Sequence, residues 1–150
     1  MREKDTFFMR QAIELAKISA DELEVPVGAV IVCDGEIISV GRNKKELNKN
    51  VLCHAEIEAI NSACTKLKNW RLCNCELFVT LEPCLMCTGA IINSRISRLI
   101  YGASDLKSGV CESSLGIFNS RLSTAIKVEK GILEDECSDI LKNFFVKIRK

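Results

Sequence analysis

The sequence predicts an α/β fold: one sheet of five strands with helices on both faces. Three observations predict it. Short apolar runs of strand length alternate along the chain with longer segments whose apolar residues recur at three-to-four spacing, the pattern of strands alternating with amphipathic helices. The run Ala29-Val30-Ile31-Val32-Cys33 is apolar without a break, as a strand covered on both faces requires. No repeat, low-complexity tract or linker interrupts the 150 residues, so one domain spans 1–150, long enough to bury a real core.

In order, Phe7, Ala12, Ile13, Leu15, Ala16 and Ile18 to Ala20 mark a first helix, and Pro26 and Gly28 punctuate its exit. Ala29 to Cys33 is the first strand. Asp34-Gly35 is a hairpin turn signal, and Ile37 to Val40 the returning strand. A polar loop, Arg42 to Asn50, leads to a helix that carries His54 and Glu56, with Ile57, Ile60 and Ala63 on its inner face. Glu76 to Leu81 is a third strand. Pro83 suits the first turn of a third helix, where its missing N–H is harmless, and that helix runs to about Ser94. Arg98 to Tyr101 is a fourth strand ending at Gly102. Asp105 to Leu122 is loop with a short helix, Ala125 to Glu129 a fifth strand, and Glu134 to Lys150 a C-terminal helix through Cys137, Ile140, Leu141, Phe144, Phe145 and Ile148.

Composition narrows the class. With 47% hydrophobic and 27% charged residues the chain reads as an ordinary globular domain. A net charge of +1 gives no global reason to expect nucleic acid, so an RNA-binding surface must be a local basic patch. No run approaches the roughly 20 apolar residues of a membrane span, and the charged start, Met1 to Asp5, lacks a signal-peptide core. The expectation is a cytoplasmic protein without membrane contact. Nine cysteines, an odd number with several in apolar segments, then read as reduced thiols. Most, namely Cys33, Cys64, Cys73, Cys75, Cys111 and Cys137, read as small buried hydrophobes.

The chemistry concentrates in four residues. His54 is the only histidine, with Glu56 two positions on, and Pro83-Cys84-Leu85-Met86-Cys87 follows thirty positions later. H-x-E followed by P-C-x-x-C is the general signature of zinc-dependent nucleobase deaminases. Cys84 and Cys87, at i and i+3, share one face of a helix's first turn, where the helix N-terminus favours thiolate. With His54 they make three zinc ligands, leaving a fourth position for water, the mark of a catalytic zinc. Glu56 is placed to take the water proton, protonate a ring nitrogen and deliver a proton to leaving ammonia. The competing readings are a redox dithiol or a structural zinc. A structural site wants a fourth ligand, which Cys73-x-Cys75 supplies only if it folds beside the pair. For Glu56 alone the plainer reading is a solvated helix carboxylate.

Longer motifs extend this over nearly the whole chain. Val25-Pro26-Val27-Gly28-Ala29-Val30, Gly41-Arg42-Asn43, His54-Ala55-Glu56-Ile57, Asn69-Trp70-Arg71-Leu72, Thr80-Leu81-Glu82-Pro83-Cys84 through Ile91, Ser94-Arg95-Ile96 and Tyr101-Gly102-Ala103 resemble the bacterial tRNA-specific adenosine deaminase family. The weaker Asp105-x-Lys107-x-Gly109 and Gly131-Ile132-Leu133 through Phe144-Phe145 agree. The resemblance implies the three-layer α/β/α cytidine deaminase-like fold with a central five-stranded mixed sheet, a homodimer, one Zn2+ per subunit, and conversion of the wobble adenosine to inosine in a tRNA anticodon stem-loop. It also implies that Asn43 hydrogen-bonds the flipped base and that the backbone N–H of Ala55 helps orient it.

Two segments depart from the family pattern. Asn50-Val51-Leu52-Cys53 stands where Asp-Pro-Thr-Ala is usual, and Ser123-Thr124-Ala125 where Asn-His-Arg is usual. Both fall in loops expected to touch substrate. The alternative substrate is therefore a free base or nucleoside, such as guanine or cytosine, and a non-catalytic zinc-stabilised RNA-binding subunit is the reading from a different class. RNA needs phosphate contacts, for which Lys44, Lys45, Lys49, Arg71, Lys107, Lys147, Arg149 and Lys150 are the candidates.

Overall fold

The computed structural model describes residues 3–122 and 125–149. Its order is α1 (Glu3–Asp21), β1 (Gly28–Cys33), β2 (Glu36–Arg42), α2 (Ala55–Leu67), β3 (Cys75–Leu81), α3 (Leu85–Asn93), β4 (Arg98–Ala103), a 3-10 turn (Ile117–Asn119), β5 (Lys127–Lys130) and α4 (Glu134–Ile148). The five strands form one mixed sheet in the order β2-β1-β3-β4-β5. β1 pairs antiparallel with β2 and β3, while β3–β4 and β4–β5 are parallel.

Alternation along the central strands divides the core into two layers. Ala29, Ile31, Leu77, Val79, Leu99 and Tyr101 face α2 and α3, packing on Ala55, Ala59, Ala63 and Ile91. Val30, Val32, Phe78 and Ile100 face α1 and α4, against Phe8, Met9, Ala12, Ile13 and Cys137. β1 lies inside this sandwich, which is why its run is unbroken although both its neighbours are antiparallel. Each large aliphatic side chain so enclosed contributes about 1.5–3 kcal/mol.

Several boundaries and faces move. In α1 the buried stripe is Phe8, Met9, Ala12, Ile13 and Ala16; Phe7 and Ile18 point to solvent, because apolar residues border the stripe on its outer side. In α2 the alanines make the contact, and Ile57 and Ile60 are only half-buried. Gly41 explains this: a Cβ there would lie 2.1 Å from the Ala55 carbonyl oxygen, so β2 and the start of α2 touch backbone to backbone. Pro83 precedes α3, and Cys84 is its N-cap, one step outside the expected first turn. β4 runs through Gly102 to Ala103. β5 begins at Lys127, after Ala125 rather than at it; Ser123 and Thr124 lie outside the described residues. Among the described residues no helix is long and apolar enough to cross a membrane.

The topology gives the sheet two poles. β3 and β4 begin together at Glu76 and Arg98 and end together at Leu81 and Ala103. Beyond their C-terminal ends, α2 and α3 start and the segment after α1 turns into β1, as sites in open α/β sheets require.

Candidate active site

Two helix N-termini meet at that pole. His54 is the N-cap of α2, extended at φ −83° and ψ 155°, and Cys84 is the N-cap of α3, with Cys87 in its first turn. His54 Nδ1 lies 3.6 Å from Cys84 Sγ and 3.5 Å from Cys87 Sγ. The three donor atoms fall within 4.8 Å of one another. One imidazole and two thiolates are borderline-to-soft donors of the kind that hold zinc, so the residues present fit that ion. Cys75 starts β3 and is a strand's length away at the other pole, so the Cys73-x-Cys75 pair supplies no fourth ligand. This removes the structural-zinc reading.

The electrostatics match the donor set. Cys84 is held down at about 4, first by the hydrogen bond from the Cys87 thiol and then, against burial, by His54. Cys87 is pushed up by donating that bond and by its burial. His54 is raised, chiefly by its bond to Cys84. Glu56, in the first turn of α2, is 4% exposed. Burial raises its carboxyl to about 7, with its own backbone N–H and His54 opposing and Cys84 assisting. A buried carboxyl that titrates near neutrality is suited to move protons, and the solvated-carboxylate reading does not survive.

These groups floor a cavity of about 300 Å³, large enough for a base or nucleoside. Val25, Val27, Asn43 and Lys45 form one wall, and Leu81, Asp105 and Ser108 the other. Asn43 faces the cavity but also serves its own loop: Nδ2 donates to the Val25 carbonyl at 3.1 Å, and Oδ1 accepts the Lys45 N–H at 3.0 Å. One N–H and one lone pair of its amide remain for a ligand. Ala55, the first residue of α2, lines the floor with an N–H of the kind left unpaired at a helix start.

The other predicted positions separate. Lys44, Lys45 and Lys49 lie on the loop between β2 and α2, and Lys107 on the facing loop. Arg71 stacks on Trp70, 4.4 Å from the ring centroid, past the far end of α2. α4 begins at the site pole and carries Lys147 and Arg149 to the opposite one, about 20 Å away by helix rise. Lys150 lies outside the described residues. In the Asn50–Cys53 departure, Asn50 Oδ1 accepts the Leu52 N–H at 2.9 Å, Val51 and Leu52 are exposed, and Cys53 is buried. Cys73, expected inside, is exposed, while Cys33 and Cys64 are half-buried.

Reading the sequence by residue type misses two carboxylates. Glu82, directly before Pro83, accepts the N–H groups of Asp105, Glu112 and Ser113, each at 3.0 Å, and the Ser113 hydroxyl at 2.5 Å. Burial alone would raise its pKa, but these bonds outweigh it and hold the carboxyl below the usual range. Gly109 makes room, since a Cβ there would meet Glu82 Cδ at 2.4 Å. Glu24, between α1 and β1, takes two N–H groups from the other loop. The only sequence signal is position: Glu82 lies in a block that resembles the family, and Glu24 directly precedes one.

The profile of the MafB19-like deaminase family matches residues 3–149. A tRNA-specific adenosine deaminase of Buchnera aphidicola subsp. Baizongia pistaciae is 46% identical, over 100% of this chain and 93% of its own. A solved structure from work on A-to-I editing by tRNA:A34 deaminases at the wobble position superposes with TM-score 0.88 and 42% identity, over 91% of this chain and 99% of its own. A Bacillus subtilis guanine deaminase structure superposes with TM-score 0.65 and 37% identity, over 69% of this chain and 66% of its own.

Proposed function

This chain belongs to the MafB19-like deaminase family, within it to the tRNA-specific adenosine deaminases, and from that premise we propose that it hydrolyses adenosine to inosine at the wobble position of a tRNA anticodon stem-loop. The observation that carries the proposal is the buried Glu56 beside the His54, Cys84 and Cys87 donors on the floor of a nucleoside-sized cavity. His54, Cys84 and Cys87 would hold one zinc ion. When bound, that ion supplies Lewis acidity that brings the pKa of water towards about 7.

The chain's own groups do the rest. Glu56 takes a proton from the attacking water, passes it to the ring nitrogen next to C6 of the purine, and returns one to the departing amine, so that adenosine and water give inosine and ammonia. The free N–H and lone pair of Asn43 and the backbone N–H of Ala55 orient the base. Lys44, Lys45 and Lys49 on one wall and Lys107 on the other supply phosphate contacts. The whole chain, 1–150, acts as one catalytic domain, and its place of work is the cytoplasm. A homodimer is part of this reading: Leu85 is 61% exposed on α3, and a Cβ on Gly89 would meet nothing within 4 Å. That face leaves room for a second copy's helix.

The guanine deaminase likeness supports a second substrate class, a free base, through the same proton transfers. Ammonia release by the zinc-loaded protein separates the two, given an anticodon stem-loop with A at the wobble position or a panel of free bases and nucleosides. Turnover of the stem-loop is the expected result; turnover of free bases alone would overturn the RNA assignment.

A further inference from the structure

The loop between β2 and α2 forms one wall of the cavity, bears three lysines and contains the Asn50–Cys53 departure. Its backbone is held by Glu24, which itself lines the cavity. Glu24 is 1% exposed, and its two carboxylate oxygens are both turned to this loop: Oε1 accepts the Glu46 N–H at 3.0 Å and Oε2 the Leu47 N–H at 2.6 Å. Two more bonds, one to the end of α1 and one to the segment after it, hold Asn43 at the start of the loop. The Ser19 hydroxyl donates to the Asn43 carbonyl at 2.9 Å, and Asn43 donates to the Val25 carbonyl at 3.1 Å.

A buried carboxylate satisfied by two amides and paired with no cation among the described residues is a poor way to build stability, because its desolvation opposes folding. It is a good way to fix two consecutive N–H groups, and with them the path of the chain, since charge-assisted bonds are short and directional. The side chains of Glu46 and Leu47 are exposed, and nothing in this contact reads them. Backbone position and side-chain identity are therefore separated in this wall. Glu24 sets the first, and the loop sequence is free to set the second.

We propose that Glu24 is a positioning residue that holds the β2–α2 loop against the cavity and so places Asn43 and Lys45 for an RNA substrate. The inference rests on the function proposed above and adds to it the element that determines substrate affinity. Glu24 shares the cavity with the metal donors and Glu56, but among the described residues its carboxylate bonds go to the loop and none to those groups, so loosening its grip changes how substrate is held more than it changes the chemical step.

The test uses the zinc-loaded protein as wild type, Glu24→Gln and Glu24→Asp, with KM and kcat on the anticodon stem-loop, zinc content, and amide hydrogen exchange without substrate. Glu24→Gln keeps the volume but turns an N–H towards a backbone N–H. Exchange at the amides of Glu46 and Leu47 then rises about tenfold or more, and KM rises about tenfold. Zinc content is unchanged and kcat stays within about threefold. Glu24→Asp, which keeps the charge at shorter reach, falls between. Unchanged exchange, or a fall in kcat with KM constant, would overturn the proposal. If the wild type does not turn over the stem-loop, the functional reading fails instead, and the exchange of the two amides in the variants still decides whether Glu24 holds the loop.

Discussion

β3 and β4 run between two clusters of charge that could hardly differ more. Where they begin, Arg98 is enclosed by Asp5 at 2.5 Å, Glu76 at 2.7 Å and Glu129 at 2.8 Å, its side chain only 5% exposed. Where they end, His54, Cys84 and Cys87 face one another with Glu56 beside them and a cavity above. At the first pole each carboxylate answers a guanidinium already in the chain. At the second, the donors answer one another only by sharing protons, and an ion or substrate has room to enter. The same sheet supports both: a closed cluster holds the strand starts in register, and an open one is presented at the strand ends. Charge that is satisfied internally is structural, and charge left facing a cavity is the candidate for chemistry.

Breaking the open pole has the largest expected effect. Glu56→Gln keeps the volume and lacks a titrating proton, so kcat falls by about 10²–10⁴ while zinc content and melting temperature hold, as steady-state kinetics and metal analysis would register. Breaking the closed pole does the reverse. Arg98→Met leaves its carboxylates without the guanidinium and lowers stability by about 3–5 kcal/mol, seen in denaturant unfolding, with kcat per folded molecule unchanged. A loss of kcat from Arg98→Met without unfolding would dissolve the distinction between the poles.

Acid sharpens the contrast. Glu82 and Glu129 are both held below the ordinary glutamate range, Glu82 against its own burial by amide and hydroxyl donors and Glu129 first by its bond to Arg98. A depressed carboxyl contributes stability that is present above its unfolded pKa of about 4.3 and lost as pH falls through the folded value. Melting temperature is therefore expected to drop steeply below about pH 4.3, and less steeply in Glu82→Gln, which has no proton to gain. The smallest effect belongs to the rim. Replacing both Lys45 and Lys49 by Ala removes two exposed charges, and the slope of log affinity for the stem-loop against log salt shrinks by about one per lysine.

The legible parts of this molecule are those with local signals. The unbroken apolar run of β1, the Asp34-Gly35 turn and the helical period of α4 each lie within a few residues, and all three elements reappear, although in α4 only Cys137 and Phe144 are buried while Phe145 and Ile148 are exposed. The donors were legible because H-x-E and P-C-x-x-C each span five residues or fewer. What escaped depends on partners far along the chain. Arg98 and Asp5 are 93 positions apart, and Glu82 meets Ser113 across 31. No local pattern distinguishes these from surface charges. Phe7 and Cys73 fail for another reason: an apolar side chain next to a buried stripe follows the period loosely, and only packing decides which side it takes.

The most direct test of the central claim is to incubate the zinc-loaded protein with a wobble-adenosine anticodon stem-loop, map inosine by mass spectrometry of the digested RNA, and run Glu56→Gln beside it. Inosine at the wobble position with wild type and none with the variant is the predicted result. Inosine formed equally by both, or none formed by zinc-replete wild type, would contradict the account.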